Sequence, residues 1–66
     1  MGLESLRKQK KLNQTYVANV LNIKQATYSQ YESGKRQPSI KSLKTLKELF
    51  SCTYEELINS ILKIND

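Results

Sequence analysis

Apolar residues recur through this chain at the three- and four-residue spacing of helices, and every run is cut short, after about two or three turns, by a turn-forming residue. That pattern restricts the chain to a series of short helices joined by brief turns. Strand-like alternation, internal repeats and low-complexity stretches are absent, and there is a single Pro. Leu3, Leu6, Arg7 and Lys10 share one helical face, and the first helix ends near Lys10 or Lys11. Asn13 is placed to cap a second helix from about Gln14 to Leu21, which buries Val17, Ala18 and Leu21. Asn22 then takes a sharp turn, since Asn is among the few non-Gly residues that tolerate left-handed backbone angles.

The third helix covers roughly Lys24 to Ser33, with Tyr28 and Tyr31 facing inward alongside Ile23 and Thr27, and Gly34 closes it with a left-handed cap. After the basic loop Gly34-Lys35-Arg36-Gln37-Pro38, Ser39 caps a fourth helix whose stripe is Ile40, Leu43, Leu46 and Phe50. Thr53 and Glu56 form a capping box that starts a fifth helix carrying Tyr54, Leu57, Ile58, Ile61, Leu62 and Ile64. The expected architecture is a single domain over residues 1–66. Its helix-turn-helix spans about 14–33, and helices four and five, about 39–63, supply core and dimerisation.

Composition excludes most chemistry. The chain has 66 residues, no His, no Trp and one Cys, so it lacks the commonest general base, a His/Cys zinc site and an internal disulfide. No catalytic residue, metal, cofactor or small-molecule ligand is expected, and the chain reads as a non-enzyme. Cys52, among Phe50, Tyr54 and Leu57, reads as a small buried apolar side chain. No apolar run reaches the roughly 18 residues of a membrane span, and charges at Glu4, Arg7 and Lys8 break up any signal sequence. A cytoplasmic protein of a prokaryotic cell, with phage or plasmid origin open, is the expectation.

The net charge of +5 is unevenly spread. Residues 1–41 hold Arg7, Lys8, Lys10, Lys11, Lys24, Lys35, Arg36 and Lys41 against Glu4 and Glu32, whereas residues 42–66 are slightly acidic. A basic half suits a polyanion, because cations that neutralise phosphates release condensed counterions. A plain solvated basic face is the alternative that charge alone leaves open.

The informative unit runs from Gln14 to Glu32: a two-turn helix, a tight turn at Leu21-Asn22-Ile23, and a second short helix, which is the helix-turn-helix plan. With Tyr28 and Tyr31 turned inward, Lys24, Gln25, Ala26, Ser29, Gln30 and Ser33 lie outward. Gln pairs bidentately with adenine, Lys with guanine, and an Ala methyl meets a thymine methyl, so this face suits base edges in a major groove. An ordinary solvated face would carry more Glu and Lys.

At these residues the chain resembles the Cro/CI, or Xre-type, helix-turn-helix family of phage repressors, Cro proteins and related bacterial transcriptional regulators. The resemblance covers nearly the whole chain. It rests on Leu6-Arg7, Leu12-Asn13-Gln14, Val17-Ala18, Leu21-Asn22-Ile23, Tyr28-Ser29-Gln30-Tyr31-Glu32, Ser33-Gly34-Lys35-Arg36-Gln37-Pro38-Ser39 and the stretch Phe50 to Leu57. It implies a compact, all-α, five-helix fold of the lambda-repressor-like kind. It further implies base contacts from Lys24, Gln25, Ala26, Ser29 and Gln30, and phosphate contacts from Gln14, Thr15, Ser33, Lys35 and Arg36. Gln14 would also buttress the third helix, and Arg7 and Glu32 would form a structural ion pair. The chain departs from the family pattern at Asn22, where Gly is common, at Lys24, where Ser or Thr usually caps, and at Lys47, which replaces a small apolar residue.

The function expected is a sequence-specific double-stranded-DNA-binding transcriptional regulator, a repressor acting as a homodimer on a palindromic operator. Tyr54, Ile58, Ile61, Leu62 and Ile64 are the candidate dimer surface, because helices four and five carry more apolar side chains than one tiny core needs. Alternatively, Leu57 and Ile61 complete the monomer core and the last residues fray. The competing class is a protein-interaction module, an antitoxin-like or adaptor bundle whose basic face binds an acidic protein.

Overall fold

The computed structural model describes residues 2–62, and Ile64 of the expected dimer surface lies outside them. Among the described residues there are five helices and no strand: α1 Leu3–Gln9, α2 Gln14–Leu21, α3 Gln25–Ser33, α4 Ile40–Phe50 and α5 Tyr54–Leu62. The boundaries follow from local chemistry. The Asn13 side chain accepts from the Tyr16 amide at 2.7 Å and starts α2. The Ser39 hydroxyl accepts from the Ser42 amide at 3.2 Å and starts α4. The capping box of α5 is reciprocal, with the Glu56 amide donating to Thr53 Oγ1 and the Thr53 amide donating to Glu56 Oε1, each at 3.0 Å. Lys24 stands at the start of α3 without a side-chain cap.

Four left-handed residues turn the chain between helices. Gly34 closes α3 at φ 85°, Asn22 closes α2 at φ 59°, Lys11 follows α1 at φ 58° and Ser51 closes α4 at φ 52°. Lys11 and Ser51 have no local signal for this conformation. Each is closed by the same helix-end hydrogen bond as the other two turns: the Leu12 amide donates to the Arg7 carbonyl and the Cys52 amide to the Lys47 carbonyl, as the Ile23 amide does to Ala18 and the Lys35 amide to Gln30.

The core gathers Leu3 and Leu6 from α1, Val17 and Ala18 from α2, Tyr28 and Tyr31 from α3, Leu46 and Phe50 from α4, and Leu57 from α5. Tyr28 and Tyr31 meet edge to face, with ring centroids 6.1 Å apart and planes at 79°. Leu12, Leu21, Ile23, Leu43, Cys52 and Ile61 pack around this centre as partly buried side chains. One expected stripe residue is misplaced: Ile40 is 86% exposed, and Ser42 is buried instead. At about 100° per residue, Ile40 lies roughly 120° around α4 from Leu46, whereas Ser42 lies roughly 40° from it. Lys47 extends over the Tyr54 ring, its ammonium 5.2 Å from the centroid, and ties α4 to α5 where a small apolar residue would not.

Candidate nucleic-acid interface

Turning Tyr28 and Tyr31 into the core fixes what α3 shows to solvent. Lys24, Gln25, Ala26 and Ser33 are exposed, and Ser29 and Gln30 are half-buried at the edges of the same face. α2 packs against α3 across the turn at Asn22, where the Ile23 amide donates to the Ala18 carbonyl at 3.0 Å. At the far end of α3, the Lys35 and Arg36 amides both donate to the Gln30 carbonyl, at 3.0 and 3.3 Å. The basic loop is therefore held against the end of α3, with the Lys35 and Arg36 side chains exposed. The arrangement offers uncharged donors and acceptors along one helix with cations at both ends.

Beneath this face runs a polar network joining three helices. Arg7 Nε donates to Glu32 Oε2 at 2.7 Å, and Arg7 Nη1 donates to the Leu12 carbonyl at 2.8 Å. Both charged side chains are more than nine-tenths buried. Gln14 Nε2 donates to Glu32 Oε1 at 2.8 Å. Gln14 Oε1 in turn accepts from Gln25 Nε2 at 3.3 Å, and Gln25 Oε1 accepts from Thr15 Oγ1 at 3.4 Å. Gln14 is half-buried and Thr15 exposed, so the network rises from a buried ion pair to the surface of α3.

The electrostatics follow from these partners. Burial alone would raise the Glu32 pKa, but the Arg7 guanidinium and the Gln14 amide outweigh it and hold the carboxyl below its ordinary value. The hydrogen bond to Glu32 raises the Arg7 pKa against the opposing effect of burial. The Tyr28 hydroxyl is buried beside the pair, near enough to the Glu32 carboxylate to interact with it but without a well-formed hydrogen bond. Burial first, and the nearby Glu32 carboxylate second, push its pKa far above the usual tyrosine value. Burial likewise raises the Cys52 thiol pKa, which suits its packing against the core.

Along α5, Tyr54, Ile58 and Leu62 recur every fourth residue and are 45%, 42% and 48% exposed. Ile61 is not free surface: it is half-buried against the core. With Ile58, Leu62, Leu43, Gln37 and Pro38 it lines a shallow groove of about 110 Å³. Among the described residues, no group of three or more His, Cys, Asp or Glu side chains could hold a metal, and no helix is long and apolar enough to cross a membrane.

The individual side chains of this site are legible in the sequence, but the links between Gln14, Thr15 and Gln25 are not. Those residues sit in the first turns of two successive helices, and only the angle at Asn22 brings them together.

A family model described as helix-turn-helix matches residues 3–57. The chain is 45% identical over 56 residues to the HTH-type transcriptional regulator AnsR of Bacillus subtilis (strain 168), covering 85% of this chain and 48% of that protein. It is 39% identical over 57 residues to the HTH-type transcriptional activator BcrR of Enterococcus faecalis, covering 86% of this chain and 28% of that protein. An uncharacterized HTH-type transcriptional regulator of Bacillus subtilis, YqaE, is 36% identical over 57 residues, covering 86% of this chain and 49% of that protein. The chain thus spans about half or less of the length of these curated relatives. No solved structure matches it.

Proposed function

The chain belongs to the helix-turn-helix family, and from that membership we propose that it is a sequence-specific, double-stranded-DNA-binding transcriptional regulator that inserts α3 into the major groove. The observation that carries this reading is the outward face of α3, where Lys24, Gln25 and Ala26 are exposed and Ser29 and Gln30 flank them half-buried, over a core held by Tyr28 and Tyr31. Uncharged amides and a methyl group match base edges, whereas exposed cations match phosphates. Lys24, Gln25, Ala26, Ser29 and Gln30 read bases. Gln14, Thr15, Ser33, Lys35 and Arg36 grip the backbone on either side.

The chain acts as a homodimer through the Tyr54, Ile58 and Leu62 face of α5. Two α3 helices related by a two-fold axis then meet major grooves about 34 Å apart, which calls for a palindromic operator. Repression by occlusion is the mechanism these residues can perform unaided, because a bound α3 excludes other proteins from the same promoter element.

Selection of randomised duplex DNA by the purified protein tests the reading, with the Gln25→Ala, Gln30→Ala double variant run in parallel. The expected result is a palindromic consensus that the double variant loses, with affinity that falls steeply as salt rises. Absence of enrichment, with no binding even at low salt, refutes DNA recognition and leaves docking to an acidic protein, for which no operator exists.

A further inference from the structure

The hydrogen bonds linking α1, α2 and α3 have a direction, and a carboxylate sets it. Ionised Glu32 can only accept, so the group of Gln14 that faces it must be the amide nitrogen, 2.8 Å away. Gln14 then turns its carbonyl oxygen toward α3, where it can only accept, and it meets Gln25 Nε2 at 3.3 Å. The Gln25 carbonyl is left facing Thr15, whose hydroxyl donates to it at 3.4 Å. Reversing either amide would set oxygen against oxygen. Glu32 is held ionised by Arg7, 2.7 Å away and equally buried, so the starting point of the chain is fixed at any pH near neutral.

Resting on the reading of α3 as the helix that enters the groove, we infer that Glu32 is a specificity-determining positioning residue. Acting through Gln14, with Thr15 as a second clamp, it fixes which end of the Gln25 amide faces which way and thereby selects adenine at the base pair Gln25 meets. An amide nitrogen has two hydrogens and an amide oxygen two lone pairs, and the internal bonds use one of each. One donor and one acceptor remain, at fixed positions. Adenine offers the matching acceptor N7 and donor N6, whereas guanine offers acceptors at both places and sets O6 against the Gln25 oxygen. An amide released from Gln14 and Thr15 can turn until it gives guanine a single hydrogen bond. Discrimination is then lost even though Gln25 itself is unchanged.

The test is the same duplex selection carried out with wild type, Gln25→Ala, Glu32→Gln and Gln14→Met, each checked for a cooperative thermal melt. Gln25→Ala identifies the base pair that Gln25 reads, and wild type is expected to prefer adenine there. Glu32→Gln gives Gln14 a neighbour that both donates and accepts, and Gln14→Met removes the relay while leaving the ion pair in place. In both variants the adenine-to-guanine ratio at that one position is expected to fall about tenfold, with preferences elsewhere in the site retained. If Glu32→Gln does not fold, Glu32→Asp decides, since it keeps a carboxylate for Arg7 but draws it back from Gln14. Adenine preference lost in Gln25→Ala but kept in the Glu32 variant or in Gln14→Met overturns the relay and leaves the proposed function standing, as does a preferred base other than adenine at that position. No enrichment by wild type overturns both.

Discussion

Tyr28 carries the largest contradiction between a side chain and its surroundings. Its ring is fully buried and central to the core, yet its hydroxyl is buried against the Arg7–Glu32 pair without a well-formed hydrogen bond. Leaving such a group unpaired costs about 1–3 kcal/mol, while replacing it by an apolar group of the same shape is near neutral or better. Tyr28→Phe is therefore expected to match or exceed wild-type stability by up to about 1 kcal/mol in urea unfolding, and a loss would show that the hydroxyl is satisfied in solution. The pH dependence points the same way. Because the folded Tyr28 pKa is raised, the unfolded chain ionises first, so stability is full below about pH 10 and falls as pH rises beyond it. That alkaline slope should be shallower in Tyr28→Phe. Glu32 has the opposite sign: its folded pKa is lowered, so its contribution is present above the ordinary carboxylate range and is lost as pH falls through the folded value. Unfolding midpoints between pH 7 and pH 2 should show a flatter acid limb in Glu32→Gln. Arg7→Met, which strands the buried carboxylate, should cost about 3 kcal/mol at pH 7.

At the scale of the helices, legibility in the sequence divides by range. Asn13, Ser39 and the Thr53–Glu56 box act within three residues, so their types and spacing announce α2, α4 and α5 before any packing is considered. Gly34 and Asn22 announce left-handed turns for the same reason. Lys11 and Ser51 do not, because neither residue type favours a left-handed backbone, although the same helix-end hydrogen bonds form around them. Ile40 shows the same limit from the other side. An apolar residue in the first turn looks like part of a stripe until the angle of α4 against the core is known. The departure at Asn22 can be checked by Asn22→Gly. Gly adopts φ 59° without the clash that costs other residues about 1–2 kcal/mol, and its greater unfolded-state freedom offsets about 0.4–1 kcal/mol of that. Asn is the least penalised of the non-glycine residues, so the variant is expected to melt within a few degrees of wild type, and on the higher side. A clear loss would mean that the Asn22 side chain holds the turn by contacts of its own.

The whole molecule is smaller than the object it is proposed to read. The described residues extend 29 × 23 × 20 Å, whereas successive major grooves on one face of a duplex are about 34 Å apart. A single copy with one α3 can engage one groove, so recognition of two half-sites requires two copies. Sequence patterning identified the residues of the α5 surface but not how they divide between surface and core. Tyr54, Ile58 and Leu62 were expected to be outward and are, while Ile61, grouped with them by helical spacing, is partly consumed by the core. The Arg7–Glu32 pair and the buttressing Gln14 were expected only through the family resemblance, and the remaining links of the polar network were not expected at all. Arg7 and Glu32 are separated by 25 residues, Gln14 and Glu32 by 18, and Gln14 and Gln25 by 11, distances over which periodicity carries no information. If the α5 face joins two copies, Ile58→Glu places a charge at its centre without touching α3 or the buried core. Sedimentation equilibrium is expected to show a concentration-dependent dimer for wild type and a monomer for the variant. On DNA, the variant should bind a single half-site with unchanged affinity and lose its preference for the full palindrome. A variant that binds the palindrome as well as wild type would place the dimer contact elsewhere and leave the α5 face without a role in recognition.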